Sequence, residues 1–301
     1  PCMHYTDATM LNVMSALDMC LWDILGKELN RPVSALLGGP VRERLRSYAY
    51  LGALPKVHSD ALENVRYWVD RGLTGLKLDP IGKEPLAVRE WGQATPGILS
   101  LPAIAKAERT FAELRELVGD QCDLMVGTHG QMSPAGAIRL ARALEPYRPL
   151  WFEEPVPPDN IRELARIARA TSIPIAAGER LTNRYEFAQL LEQQAVHVIQ
   201  FDVGRCGGIS EAKVIADMAD AHYAHVAPHV WGGPILAAAS IQIDLCCRNF
   251  LIQESLGDWS GFHADLLREP IEWKDGFIIP SGRPGLGYEL NEDVARKHAV
   301  S

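Results

Sequence analysis

Glu153 and Glu179, spaced 26 residues apart, are the first sign of chemistry in this chain. Glu153 lies at the end of the apolar run LWFEE and Glu179 follows IPIAAG, so each stands where a predicted buried strand ends. Two carboxylates that converge in a partly dry site repel each other unless a cation or a proton lies between them. Because Mg²⁺ prefers carboxylate oxygens, the pair predicts a magnesium site. The alternative is two solvated carboxylates at loop starts.

A glycine stands where the same spacing predicts a third ligand. Gly127 lies 26 residues before Glu153, at the end of the apolar run CDLMVG. Asp123 does not replace the ligand, because it lies near the start of a strand that rises roughly 3.3 Å per residue. His129 lies two residues after Gly127, on the same face of an extended chain, and could bind the metal or act as an acid beside it. A loop histidine with a hydrogen-bonded ring is the alternative.

An aspartate and a histidine follow two neighbouring predicted strands. Asp202 ends VHVIQFD, and His229 follows HYAHVAP. An aspartate that accepts a hydrogen bond from one ring nitrogen fixes the tautomer and raises the basicity of the other nitrogen, as an oriented general base requires. The pair therefore predicts a base for proton abstraction, although a lone histidine is more often structural.

Two further polar residues complete the set at the strand ends. Lys77 lies on the strand GLKLD, and Glu254 lies near the end of FLIQES. Lys77 could balance the charge of an anionic substrate. Glu254 could form a hydrogen bond with a substrate oxygen or, when protonated, donate one to an oxyanion. Neither residue predicts a function by itself.

These residues need a scaffold that gathers strand ends. Apolar runs alternate with amphipathic helical stretches such as PAGAIRLARALEPY and SEAKVIADMADAH, which is typical of parallel β/α units. The eight runs are LRSYAYL, GLKLD, CDLMVG, LWFEE, IPIAAG, VHVIQFD, HYAHVAP and FLIQES. Eight strands at this length predict an α/β protein with a closed TIM-like barrel, whose active site lies where strands end. A doubly wound sheet is the alternative, but GRCGGIS lacks the GxGxxG order of its phosphate loop.

Three segments lie outside the repeat. We predict a long amphipathic helix over residues 7–28, a long loop over residues 80–102, and a turn-rich β tail with a short final helix from about Ile271. Long loops at the carboxyl end of a barrel commonly cover active sites. The predicted division is a helical lead-in over residues 1–40, the barrel over residues 41–270, and a C-terminal segment over residues 271–301 that packs with a capping domain.

Composition narrows the function classes. The chain has 301 residues, a formal charge of −8 and no block of basic residues, so we expect no nucleic-acid partner. No run of 18 apolar residues and no signal-peptide pattern occur, so we expect no membrane partner and a cytoplasmic location. The cysteines form no CxxC pair and are predicted to be reduced core residues. They are Cys2, Cys20, Cys122, Cys206, Cys246 and Cys247.

Ordered motifs over residues 10–295 resemble the mandelate racemase and muconate-lactonising branch of the enolase superfamily. They include LKLDP, LWFEEPVPPDN, AAGERL, FDVGRCGGISEAKVIADMA, APHVWGGP and PGLGYEL. The resemblance implies a (β/α)7β barrel with a capping domain formed by both ends of the chain. We expect the N-terminal part of that domain to be largely absent from this chain.

The resemblance also implies roles for the residues named above. In that family three acidic residues after the third, fourth and fifth strands hold Mg²⁺. Glu153 and Glu179 match two of them, and Gly127 stands at the first. Asp202 and His229 match the family's dyad, and Glu254 matches its glutamate on the eighth strand. Lys77 matches the first lysine of the racemases' Lys-x-Lys motif, and Asp79 replaces the second.

This pattern is similar to that of the acid-sugar dehydratases of the galactonate and gluconate type, in which a histidine at the place of His129 acts as an acid. The predicted function is a Mg²⁺-dependent dehydratase that converts a sugar acid to a 2-keto-3-deoxy acid. The expected partner is a small acid sugar. Members of the family are often multimers, so the resemblance also implies a homo-oligomer. Two alternatives stay open. One is a sugar-acid epimerase or lactone cycloisomerase, and the other is a metal-impaired, non-catalytic relative.

Overall fold

A computed structural model describes residues 7–81 and 97–299 of the chain. Most of the loop predicted over residues 80–102 lies outside the described residues. The chain divides into two compact units. Unit 1 comprises Pro1–Tyr48, Glu179–Arg184 and Gln200–Ser301, and unit 2 comprises Ala49–Gly178 and Tyr185–Ile199. The predicted boundaries at residues 40 and 270 stay a prediction.

Unit 2 is built on parallel strands with buried, apolar residues. The strands are the end of β1 (Leu45–Tyr50), β2 (Gly75–Leu78), β3 (Asp123–Gly127), β4 (Phe152–Glu153), β5 (Ile175–Ala177) and β6 (Val198–Ile199). Each pairs in parallel with the next along the chain. The register places Lys77 opposite Met125 and Gly127 opposite Glu153. Strands buried on both faces need the near-continuous apolar runs that the sequence shows.

Four of the helices described in unit 2 begin at capping side chains. They are α3 (Ala61–Asp70), α4 (Leu101–Val118), α5 (Pro134–Leu144), α6 (Ile161–Ala168) and α7 (Arg184–Glu192), whose first residue belongs to unit 1. Asp60, Ser100, Ser133 and Asn160 each accept a hydrogen bond from a backbone amide of the first turn. Such caps satisfy amide groups that have no partner within the helix. Helix α4 corrects the predicted loop, because the chain is already helical at Leu101.

Unit 1 holds the last two predicted barrel strands and their helices. They are β7 (His225–Val226), β8 (Gln253–Ser255), α8 (Ile209–Ala221), α9 (Pro234–Cys246) and the short α10 (Phe262–Asp265). A parallel bridge joins Val226 to Phe250, just before β8. Helix α9 is buried along almost its whole length, as its apolar sequence requires.

The predicted N-terminal helix is present as α1 (Ala8–Glu28), followed by the short α2 (Val33–Leu36). By length and composition alone, α1 could also span a membrane. Two of its carboxylates bond to other parts of unit 1. Asp18 accepts hydrogen bonds from the amide and hydroxyl groups of Ser210, and Asp23 accepts one from the amide of Leu286. These contacts are those of a helix packed on protein. The expected absence of a membrane partner stays a prediction.

The tail forms the predicted hairpin and final helix. Strands β9 (Glu272–Lys274) and β10 (Phe277–Ile279) pair in antiparallel fashion, and α11 (Glu292–Lys297) follows. Asp275 and Gly276 turn the hairpin with positive φ angles of 51° and 81°, as an Asp-Gly turn between two strands favours. Strand β10 also pairs with the start of β1, with Leu45 opposite Ile278.

One cysteine prediction is wrong. Cys122, Cys206, Cys246 and Cys247 are free and buried, but Cys20 is exposed on α1. Helix α1 buries only one narrow stripe, which includes Leu11, and Cys20 lies outside it. Cys2 lies outside the described residues.

Candidate active site

The predicted dyad forms within unit 1. Nδ1 of His229 lies 2.7 Å from Oδ2 of Asp202. The other carboxyl oxygen of Asp202 accepts a hydrogen bond of 2.7 Å from the amide of Gly204. The backbone amide of His229 in turn donates to the carbonyl of Phe201 at 3.1 Å. Both partners are therefore fixed by the backbone around them, which orients Nε2 of the imidazole for proton transfer.

Two glutamates of unit 1 lie around the same imidazole. Oε2 of Glu179 is 3.8 Å from Nε2 of His229. Glu254 is buried, and its Oε2 accepts a hydrogen bond of 2.8 Å from the amide of Val230, the residue after His229. The sequence predicted this grouping of Glu179, Asp202, His229 and Glu254 from strand ends alone.

This cluster of carboxylates changes the acidity of the histidine. Burial alone would lower the pKa of His229, because it disfavours the charged ring. The hydrogen bond to Asp202 and the negative charges of Glu254, Glu179 and Asp202 outweigh burial and raise the pKa to about 9. At neutral pH the free protein therefore holds a protonated imidazole, and the base form becomes available as the pH approaches 9.

The other predicted residues belong to unit 2, where Lys77 and Glu153 form a buried ion pair. Nζ of Lys77 lies 2.8 Å from Oε1 of Glu153, and the two side chains are 3% and 1% exposed. The indole Nε1 of the buried Trp151 donates to the other carboxylate oxygen of Glu153 at 3.0 Å. Both oxygens of Glu153 therefore have a partner within unit 2.

Gly127 lies beside this ion pair. A Cβ atom added to Gly127 would lie 3.2 Å from Cγ and Cδ of Lys77 and 3.8 Å from Oε1 of Glu153. The first distance is tighter than ordinary van der Waals contact, so the lysine chain fills the space that a side chain at position 127 would need. The sequence identified Gly127 as an unusual position but did not indicate what lies there.

His129 and Asp79 are placed differently from the sequence expectation. Strand β3 ends at Gly127, and His129 has a left-handed φ of 53°. The alternation of side chains along an extended strand therefore does not extend to His129. The prediction that His129 shares a face with Gly127 is wrong. Its exposed ring lies edge-on to Tyr50, with centroids 6.5 Å apart. Asp79 accepts hydrogen bonds of 2.9 Å from the side chain of Gln131 and the amide of Ile81.

Comparison with known proteins identifies the family. The model of the enolase C-terminal domain-like family matches residues 60–294. The model of the mandelate racemase/muconate lactonizing enzyme N-terminal domain matches residues 3–38. The chain belongs to the mandelate racemase/muconate lactonizing enzyme family. This family is part of the enolase superfamily, whose members are enzymes.

Solved structures of the family cover nearly the whole chain. A protein from Burkholderia SAR-1, provisionally named a mandelate racemase/muconate lactonizing enzyme, shares 48% identity with a TM-score of 0.91, over 98% of this chain and 73% of its own. The mandelate racemase/muconate lactonizing enzyme from Jannaschia sp. CCS1 shares 41% identity with a TM-score of 0.90, over 99% of this chain and 76% of its own. A protein provisionally named a dehydratase, from Salmonella enterica serovar Typhimurium, shares 32% identity with a TM-score of 0.90, over 98% of this chain and 77% of its own.

These matches confirm the predicted fold class, an α/β protein with the parallel strands of the family's TIM-like barrel. They also relate the start of the chain to a domain of the family. The segment predicted as a lead-in over residues 1–40 contains the match to the family's N-terminal domain. Helix α1 is thus a part of this chain that resembles the capping domain.

Enolase superfamily members typically bind Mg²⁺, but the side chains described here do not fit the three-carboxylate site that the resemblance implies. Within residues 7–81 and 97–299, no group of three or more His, Cys, Asp or Glu side chains is arranged to hold a metal ion. Gly127 offers no ligand atom in its side chain, and Glu153 is bonded to Lys77 and Trp151. Glu153 and Glu179 lie in different units, so the predicted metal pair stays a prediction.

Two contacts at the site were not predicted from the sequence. Trp151 lies two residues before Glu153, so strand alternation places both on one face, and that signal was available. The amide of Gly204 fixes Asp202 from two residues away. An aspartate followed two residues later by glycine is a common turn pattern, which the sequence also offered.

Proposed function

We propose that this chain is a hydro-lyase that removes water from a sugar acid and yields a 2-keto-3-deoxy acid. His229, held by Asp202, is the base that removes the proton from the carbon beside the substrate carboxylate. The hydrogen bond of 2.7 Å between these two side chains is the observation that carries the proposal. It leaves Nε2 of the ring as the atom that accepts the proton.

The elimination balances within one substrate. The α C–H bond breaks, its electron pair forms an enediolate, and that pair then expels the hydroxyl group of the neighbouring carbon. The hydroxyl leaves as water after it takes a proton from an acid, and the enol product rearranges to the keto acid. Glu254 is proposed to donate a hydrogen bond to the enediolate oxygen in the protonated form that it takes when the substrate is bound, and its position is fixed by the amide of Val230.

The remaining roles rest on the family resemblance. His129 is the proposed acid for the leaving hydroxyl, and Lys77 the proposed source of positive charge. Both belong to unit 2, and their part in the reaction stays a prediction. The dehydratase assignment itself draws on the Salmonella protein named above, whose identity to this chain is 32%.

Epimerisation or cycloisomerisation would share the first proton abstraction. Asp79 disfavours a two-base epimerase, because it stands where a second lysine would be and is bonded to Gln131 and Ile81. Product NMR in D₂O separates the reactions. Loss of water with a new keto group supports the dehydratase. Deuterium exchange without loss of water indicates an epimerase, and an isomeric lactone indicates a cycloisomerase.

The experiment that tests the proposal is a screen of mono- and diacid sugars for keto-acid release. His229→Asn is expected to abolish release. The matched control is His225→Asn, since His225 is an exposed histidine four residues earlier whose ring contacts the carbonyl of Asn249. Absence of any turnover by the wild-type chain across the screen, together with failure to exchange the α-proton, would favour the metal-impaired, non-catalytic alternative to which Gly127 points.

A further inference from the structure

The ion pair of Lys77 and Glu153 occupies the region where the family resemblance implies a metal. We propose that the ammonium group of Lys77 takes the place of a divalent cation at Glu153, so that this carboxylate is balanced within the chain and without Mg²⁺. The inference does not rest on the proposed reaction, because metal binding is measured without substrate.

The first support is the fit between Gly127 and the lysine chain. Register places Gly127 directly opposite Glu153 on the neighbouring strand. A Cβ at Gly127 would lie 3.8 Å from Oε1 of Glu153, so a side chain there would stand beside the same oxygen. The same Cβ would lie 3.2 Å from Cγ and Cδ of Lys77. A third ligand at position 127 and the present path of Lys77 therefore compete for one space.

The second support is the charge balance of a buried carboxylate. Glu153 is 1% exposed, and leaving it without a counter-charge would be costly. Lys77 supplies one positive charge at 2.8 Å, and Trp151 supplies a neutral donor at 3.0 Å. Together they bond both oxygens of the carboxylate, so its charge is compensated by protein groups alone.

The third support is the repulsion that a metal would meet. Mg²⁺ binds oxygen at about 2.1 Å, so an ion on Oε1 of Glu153 would lie within roughly 5 Å of the ammonium of Lys77. Two cations at that distance in a buried site repel strongly. Binding of Mg²⁺ to Glu153 therefore requires that Lys77 first moves away, and its side chain is only 3% exposed.

The test begins with the wild-type chain. Titration calorimetry with MgCl₂ up to about 10 mM, a range that would reveal even a millimolar Kd, is expected to give no saturable heat. Thermal unfolding is expected to give the same Tm in EDTA and in MgCl₂, because a ligand that does not bind the folded state cannot stabilise it. Saturable binding, or a Tm that falls in EDTA, would overturn the proposal.

The decisive variant is Lys77→Met, which removes the ammonium and keeps most of the chain volume. Its Tm is expected to fall by roughly 6 °C or more, since one partner of a buried pair is lost. Addition of Mg²⁺ is then expected to raise the Tm of the variant while leaving the wild type unchanged. The control is Lys213→Met, which removes an exposed pair with Asp217. The control is expected to show no response to Mg²⁺.

A second variant tests the competition for space between position 127 and the lysine chain. Gly127→Asp places a carboxylate where the lysine chain now lies, and Gly127 is outside the left-handed region, so its backbone accepts a side chain. We expect it to show saturable Mg²⁺ binding by calorimetry. A folded Lys77→Met protein that responds to Mg²⁺ no more than the wild type would refute the proposal, and saturable binding of Mg²⁺ by the wild type would refute it even if Lys77→Met does not fold.

Discussion

The buried carboxyl group of Asp244 gives a prediction about stability that is separate from the site. Asp244 lies on α9 and is 0% exposed. Among the described residues, neither of its carboxyl oxygens has a hydrogen-bond partner. Burial raises its pKa well above the usual value, and the nearby charge of Arg42 opposes this only in part. The folded protein therefore holds Asp244 in its neutral, protonated form over a range of pH in which the unfolded chain releases the proton.

The sign of the effect follows from this difference in bound protons. Because the folded state binds one more proton than the unfolded state, the free energy of unfolding falls as the pH rises above the ordinary aspartate pKa of about 3.9. The slope is about 1.4 kcal/mol per pH unit until the folded-state pKa is reached. Between the pKa of the unfolded chain and the higher pKa of the folded protein, the wild-type chain should therefore lose stability steadily as the pH rises.

The assay is urea unfolding of the wild type and of Asp244→Asn at several pH values from 5 to 7. The amide cannot release a proton, so the unfolding free energy of the wild type relative to that of Asp244→Asn should fall as the pH rises. The test uses only the pH dependence of the unfolding free energy. Its absolute value in Asp244→Asn is not compared, because the buried amide also lacks hydrogen-bond partners. Asp217→Asn, on the exposed face of α8, is the matched control and should follow the wild type. Parallel curves for Asp244→Asn and the wild type would refute the reasoning.

Three other predictions concern the site and its support. Since the neutral imidazole is the base and its pKa is raised to about 9, kcat/KM for α-proton exchange should rise with pH up to about 9, and a rate independent of pH between 6 and 9 would contradict this. Asp202→Asn should lower the exchange rate roughly 10²- to 10⁴-fold in stopped-flow or NMR measurements, while Asp217→Asn leaves it unchanged. Gly208→Ala should destabilise the chain by about 1–3 kcal/mol in urea unfolding, because Gly208 has a φ of 92° and its added Cβ would clash with the carboxylate of Asp18.

Spacing along the sequence was enough to find the residues of the dyad. Parallel β/α units repeat at a nearly constant length, so residues that follow successive strands gather at one edge whatever the details of packing. This is why Asp202 and His229 could be paired before any distance was known. The same regularity exposed Gly127 as an unusual residue, because a glycine broke a series of carboxylates.

The sequence could not give the contacts that set charge and acidity. The ion pair of Lys77 with Glu153 depends on strand register, on side-chain conformation and on the space left by the missing side chain of Gly127. All three involve neighbouring strands. The direction of the pKa shift at His229 depends on how burial balances three carboxylates, which no spacing reveals. His129 shows the same limit in the backbone, because the strand ends two residues earlier and the chain turns left-handed.

The sequence by itself therefore determined which residues stand at strand ends, the fold class that they imply, and the pairing of Asp202 with His229. Only the tertiary structure decided that the lysine chain fills the space beside Gly127, that Cys20 is exposed, and that the pKa of His229 is raised rather than lowered. The physical reason is the distance along the chain between the residues that interact. Strand order and periodicity are fixed by local patterns, whereas burial and charge balance depend on atoms that packing brings together from distant parts of the chain.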